Sequence, residues 1–305
     1  MVKRTRPPAR PRKSARKHYS DGHPLDSVHF LECKVILKPD RFTSVDSFRE
    51  FGKLVRRTAE GMGIGFITDP RIGRRPDIRE IVFYDTPDFR LYNNAFILRR
   101  RIAYEDGFPV GDPEIVFKFR HPDLDKAAAL DARPRISGEY EIKFKAEALP
   151  LRDRIGGMRT LYSHNCQFGW SQLHEADRTA MGGLAHVFPA LAVLKKSDRE
   201  EVCLVNGAIV EEVLLELGQL DFGKCVLGKA NVALWRTRGE HTPLVGEFAY
   251  QCKFVRDRAL HKKAQQRSDA FFVSLQNKAS DWVSLGTTKT GMVYRMNGNA
   301  PQSHE

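Results

Sequence analysis

The sequence predicts a single α+β domain in which antiparallel strands close around a polar interior and helices pack outside. Two observations point there: many short strands with few helices, and strands that sort their charges onto one face. Residues 138–145 read Gly-Glu-Tyr-Glu-Ile-Lys-Phe-Lys, so Tyr140, Ile142 and Phe144 face one way and Glu139, Glu141, Lys143 and Lys145 the other. Alone, such a strand is most simply half-solvated, but the sorting recurs. Arg99 and Arg101 share a face opposite Leu98 and Ile102. Lys118 and Arg120 join Glu114 on a face opposite Ile115, Phe117 and Phe119. Glu32 and Lys34 oppose Leu31, Cys33 and Val35, and Glu247 and Lys253 oppose Phe248 and Tyr250. The wet face of an open sheet mixes Thr, Ser and Gln among its charges, whereas Arg-x-Arg and Glu-x-Glu sorting suits a barrel lumen. Cations gathered there repel one another unless carboxylates or a polyanion neutralise them.

The elements follow in order. A first strand covers 29–37. Val45, Phe48, Val55, Ala59 and Met62 then recur at helical spacing over 44–62, with a capping-box pattern at Ser47 and Glu50 and glycines at 61, 63 and 65 to end it. Short strands are expected at 79–84, 96–104, 114–120 and 138–145, separated by turn-rich segments. A mostly helical insert is expected over about 149–188, followed by strands at 190–196, 199–205, 208–221, 230–237 and 244–253. Asn206-Gly207 reads as a hairpin turn. A last helix over 256–283 places Leu260, Ala264, Phe271, Leu275 and Trp282 on one stripe. The expected organisation is a disordered basic tail at 1–24, one domain over 25–290, and a C-terminal tail at 291–305.

Composition narrows the function classes. With 305 residues and 41% hydrophobic content the chain can bury a sizeable core, and no apolar run reaches the roughly 18 residues that span a bilayer. Five cysteines without close pairs argue against a Cys-x-x-Cys zinc site or a disulfide framework and fit a reducing, cytoplasmic location. His164 and Cys166 lie close together but read as a surface pair. Of the net +12, eight charges fall in residues 1–20, which hold no acid, so the remainder carries +4. That Pro- and Arg-rich stretch is a candidate contact for RNA or another polyanion, or a nuclear address.

The stretch Phe83-Tyr84-Asp85-Thr86-Pro87-Asp88, followed by Leu91 and Leu98-Arg99-Arg100-Arg101, resembles the Y-x-D-T-x-D…L…L-R-x-R segment of CYTH domains. These are the triphosphate tunnel metalloenzymes, among them thiamine triphosphatase, inorganic triphosphatases and class IV adenylyl cyclases. The likeness continues through Ile115-Val116-Phe117-Lys118 and Glu139-x-Glu141, then more loosely through 195–199, 220–223 and 245–247. It implies an eight-stranded antiparallel tunnel that hydrolyses a triphosphate-containing substrate with Mg or Mn. Lys34, Arg99, Arg101, Lys118, Arg120, Lys195 and Arg199 would contact phosphates, with Glu32, Lys34 and Arg199 in the catalytic set. Glu32, Glu139, Glu141, Asp221 and Glu247 would serve the metal.

The family opens on Glu-x-Glu-x-Lys, where this chain has Phe30-Leu31-Glu32-Cys33-Lys34, and Glu247-Phe248-Ala249 stands where a second Glu-x-Glu is expected. Losing two oxygen ligands weakens a metal site. Two alternatives therefore stand beside hydrolysis: a tunnel that binds a polyphosphate or phosphorylated ligand without turnover, and a nucleic-acid-associated protein acting through its basic tail. Asp85 and Thr86 read as turn formers, Trp170 and Trp282 as packing residues, His29 as facing outward and His121 as a turn residue. Lys143 and Lys145 are left open as an extension of the phosphate wall or its mouth.

Overall fold

A computed structural model of the chain describes residues 17–68, 75–256 and 259–298. In order they form β1 (Phe30–Leu37), α1 (Val45–Gly61), β2 (Gly65–Ile67), β3 (Asp77–Asp85), α2 (Arg90–Asn93), β4 (Phe96–Glu105), β5 (Phe108–His121) and α3 (Leu124–Ala129). There follow β6 (Glu141–Pro150), β7 (Met158–Gly169), α4 (Ala176–Thr179), α5 (Met181–Val187), β8 (Cys203–Leu204), β9 (Val210–Asp221), β10 (Leu227–Thr237), β11 (Pro243–Lys253), α6 (Lys262–Lys278) and α7 (Lys289–Tyr294).

The strands make a closed barrel in the order β9-β10-β11-β1-β6-β7-β5-β4-β3, with β3 pairing back onto β9; β2 and β8 extend it at its ends. The ring has nine members rather than eight, and β1 with β6 is a parallel pair. Both departures have one cause. Residues 158–169, expected to lie in a helical insert, form β7 and wedge between β5 and β6. An odd closed ring cannot alternate direction throughout, so one parallel pair is obligatory. Placing this segment in a strand also overturns the surface reading of His164 and Cys166, which are 1% and 0% exposed.

The outer faces carry the cores. Phe48, Phe51 and Val55 of α1 and Phe271, Phe272 and Leu275 of α6 pack on Val35, Val232, Phe248 and Tyr250 of the barrel. Each such buried side chain contributes roughly 2 kcal/mol. A second cluster joins Met181, Leu184 and Phe188 to Ile115, Phe117 and Cys166. α1 is capped by Ser44, whose N–H is accepted by Ser47 Oγ at 3.3 Å, so the cap lies three residues before the expected one.

Three other expectations change. The segment 190–196 is not a strand: Pro189–Leu191 forms a 3-10 turn whose Leu191 anchors it to the second core, and only Cys203–Leu204 of the next expected strand pairs with β3. Asn206-Gly207 is not a hairpin. β8 and β9 run along the same edge of β3, and the left-handed Asn206 (φ 55°) and Gly207 (φ 62°) kink the chain between them. Residues 289–294, spanning the start of the expected tail, are helix α7, with Val293 and Tyr294 fully buried. Of the basic stretch, residues 1–16 lie outside the described residues; Lys17 pairs with Asp125 at 3.0 Å and Arg133 with Asp21 at 2.7 Å. Among the described residues no helix is long and apolar enough to cross a membrane.

Candidate functional site

Strand alternation turns every second residue of the barrel inward, and the inward set is charged. The lumen encloses about 330 Å³, at the lower end of ligand-binding cavities, which suits a slim ligand. β1 contributes Glu32 and Lys34, β4 Arg99 and Arg101, and β5 Lys118 and Arg120. β6 adds Lys143, Lys145 and Glu147; Arg79, Glu212, Glu247 and Lys289 complete the charged lining. Nine cationic side chains thus meet four carboxylates, a surplus of five positive charges. At one end the wall becomes apolar, with Ile36, Phe83, Ile97 and Trp235 packing beside Val293 and Tyr294 of α7.

In one half of the wall every charge is engaged in a salt bridge. Glu147 is fully buried, accepts a bond from Lys118 Nζ at 2.6 Å, and lies 3.1 Å from Lys34 Nζ and 3.3 Å from Arg120 Nε. Burial alone would raise its pKa, but Arg120, Lys118 and Lys34 hold it well below the usual carboxylate range. Its register partner Glu32 pairs with Lys34 at 2.8 Å and Lys145 at 3.5 Å and accepts Gln251 Nε2 at 3.1 Å. Burial, then the like charge of Arg120, pulls Lys118 well below its ordinary value.

The other half is paired less completely. Arg99 makes no salt bridge among the described residues, and its buried Nε has no hydrogen-bond partner. Burial first, then Arg101 two residues along the same face, pulls its pKa down to about 10, still leaving it charged at neutral pH. Arg101 donates to Glu114 at 2.6 Å and Lys143 pairs with Glu141 at 3.0 Å. The Asp85 turn places this wall. Asp85 accepts the N–H groups of Thr86, Leu91 and Tyr92 at 2.7, 2.8 and 2.9 Å and the Tyr294 hydroxyl at 3.0 Å, bracing α2 just before β4. Burial outweighs these bonds and pushes Asp85 up to about 6.

Of the residues singled out in the sequence, the structure brings Glu32, Lys34, Arg99, Arg101, Lys118, Arg120 and Glu247 together on the lumen, with Lys143 and Lys145, left open above, on the same lining. The rest lie elsewhere. Lys195 pairs with Asp198 at 2.7 Å and Arg199 is exposed, both on turns outside the barrel, because 190–202 does not form inward-facing strands. Glu139 is exposed before β6 begins, and Glu141, also exposed, accepts Gln167 Nε2 at 2.9 Å. Asp221 ends β9 where it pairs with β2, and its Oδ1 accepts the Gly223 N–H at 2.8 Å. Phe30 shares the Glu32 face, with Lys145 and Lys253 each 5.8 Å from its ring centroid. Sequence reasoning missed Glu147, Glu212, Arg79 and Lys289. Continuing the alternation Glu141-Lys143-Lys145 by one more step finds Glu147, whereas nothing local marks Lys289.

A resident Mg or Mn does not fit this arrangement. Each lumen carboxylate is already met by an ammonium or guanidinium. Lys34 and Ala249 sit between Glu32 and Glu247 along β1 and β11. No group of three acidic, His or Cys side chains among the described residues could hold a metal ion.

Comparison with known proteins finds no matching family model and no matching curated protein. Among solved structures, the chain is similar to a protein from Hippeastrum described as a candidate adenylyl cyclase with a dominant triphosphatase activity, with 12% identity, TM-score 0.42, and coverage of 91% of this chain and all of that one. It is similar also to the PH1819 protein of Pyrococcus horikoshii, with 12% identity, TM-score 0.37, and coverage of 88% of this chain and 100% of that one. A candidate adenylate cyclase of Bacillus halodurans gives 11% identity, TM-score 0.38, and coverage of 87% and 96%. What the tunnel can do is set by its own side chains: a closed α+β barrel, helices outside, with a cationic lumen.

Proposed function

We propose that the tunnel binds the phosphate chain of a triphosphate or polyphosphate. The observation that carries this is the cationic surplus of a slim lumen, three charges once Glu114 and Glu141 are set against Arg101 and Lys143, with Arg99 in no salt bridge among the described residues. A linear polyphosphate supplies the missing negative charge along its length. Its oxygens suit the planar forks of Arg99 and Arg101 and the point charge of Lys143. Desolvation strengthens each contact, since the wall is largely shielded from bulk water.

Metal-dependent hydrolysis is the second reading. It would need an ion carried in on the phosphate chain, since each lumen carboxylate is already met by an ammonium or guanidinium. Calorimetric titration with tripolyphosphate and orthophosphate tests the first reading. Tripolyphosphate should bind at least tenfold more tightly, with affinity falling as salt rises; equal, weak binding of both would remove it. Phosphate release from tripolyphosphate and ATP with Mg, with Mn and with EDTA tests the second. Binding without release in all three leaves a polyphosphate-binding tunnel, and metal-dependent release makes the protein a triphosphatase.

A further inference from the structure

Lys289 enters the lumen from the first turn of α7. Its Nζ lies 2.8 Å from Glu247 Oε1, 3.2 Å from Glu212 Oε1 and 4.7 Å from the centroid of the Trp235 ring. The two carboxylates flank β10 and are 8% and 5% exposed, and Lys289 is 17% exposed. Trp235 Nε1 donates to the same Glu212 oxygen at 2.8 Å, and Arg79 stands 3.6 Å from the other. Burial would raise the Glu212 pKa; Lys289, the Trp235 bond and Arg79 outweigh it and hold it at about 2. The helix that delivers Lys289 is pinned. Thr288 Oγ1 accepts the Gly291 N–H at 3.0 Å, Asn206 Nδ2 donates to the Val293 carbonyl at 2.8 Å, and Tyr294 bonds Asp85.

Two nearly buried carboxylates sharing one cationic centre are what a hard divalent ion seeks, and here an ammonium occupies that centre. We propose that Lys289 is a built-in counter-cation between Glu212 and Glu247, taking the place of a divalent ion, so that the tunnel accepts its phosphate chain without added metal. The second half of this assignment rests on the phosphate-binding reading; the first half does not.

Mn²⁺ titrated alone, followed by electron paramagnetic resonance, tests the first half. Lys289→Met should bind one Mn²⁺ at least tenfold more tightly than the wild type, and Lys289→Arg should restore wild-type behaviour. Equal Mn²⁺ affinity in the wild type and a folded Lys289→Met overturns the assignment, as does tight Mn²⁺ binding by the wild type should that variant fail to fold. Calorimetry with tripolyphosphate tests the second half. Wild-type affinity should change less than threefold between EDTA and Mg, while Lys289→Met loses at least tenfold in EDTA and recovers with Mn. Wild-type binding that collapses in EDTA overturns metal independence. Absence of wild-type binding in every condition removes the phosphate-binding reading, while the Mn²⁺ comparison still decides the role of Lys289.

Discussion

Two halves of one tunnel wall differ in what their charges are for. On β1, β5 and β6, Glu147 gathers Lys34, Lys118 and Arg120 into a buried cluster that satisfies itself. On β4, Arg99 has no such partner and stands beside Arg101. The first half is a structural element that happens to be charged, because removing Glu147 would take away the carboxylate that Lys34, Lys118 and Arg120 share. The second half holds a buried cation that folding alone does not explain. Its burial is a cost that a bound anion would offset. A charged lumen is therefore not uniformly a binding site, and the carboxylates decide which portion is.

The largest expected effect tests the half built on Glu147. Glu147→Gln leaves three buried cations facing one another and should lower unfolding free energy by about 3–5 kcal/mol. Denaturant unfolding checks this, and a loss near zero would dissolve the contrast. Acid comes next. Glu212 titrates from about 4.5 unfolded to about 2 folded, so the stability it contributes is complete above roughly pH 4.5 and fades as pH falls toward 2. Glu212→Gln should flatten that part of the stability–pH curve, read by Trp fluorescence.

The other half is sharpened by affinity rather than stability. Arg99→Ala should weaken tripolyphosphate binding by about 2 kcal/mol while leaving unfolding free energy unchanged or slightly raised. Arg101→Ala, already shared with Glu114, should cost about 1 kcal/mol of affinity by the same titration. The smallest effect concerns the charges outside the lumen. Lys195→Ala with Arg199→Ala should change affinity by less than about 0.5 kcal/mol, since both sit on outer turns. A tenfold loss there would move the site.

Much of the barrel was legible because charge sorting on one face is a period-2 signal, visible in β1, β4, β5 and β11. β7 was not, for a physical reason. Its inward residues Ser163, Asn165 and Gln167 are neutral, so the strand carries no sorted charge, and its Tyr162, His164 and Cys166 face gives only weak apolar contrast. With β7 went the ninth strand and the parallel pair it forces. Glu147 was missed because the strand was ended at Lys145, one alternation early. Lys289 reaches the lumen from a six-residue helix far along the chain, and only tertiary packing reveals it. Asp221, Lys195 and Arg199 matched a pattern by order along the chain, but order does not say which residues point inward.

The most direct test of the central claim observes Arg99 itself. The ¹⁵N–¹H resonance of its Nε, assigned by its loss in Arg99→Lys, would be followed as tripolyphosphate is added. The account predicts that this signal shifts to saturation and exchanges more slowly with water, while the Lys118 ammonium, held by Glu147, moves little. An Arg99 resonance that stays in place at saturating tripolyphosphate would contradict it.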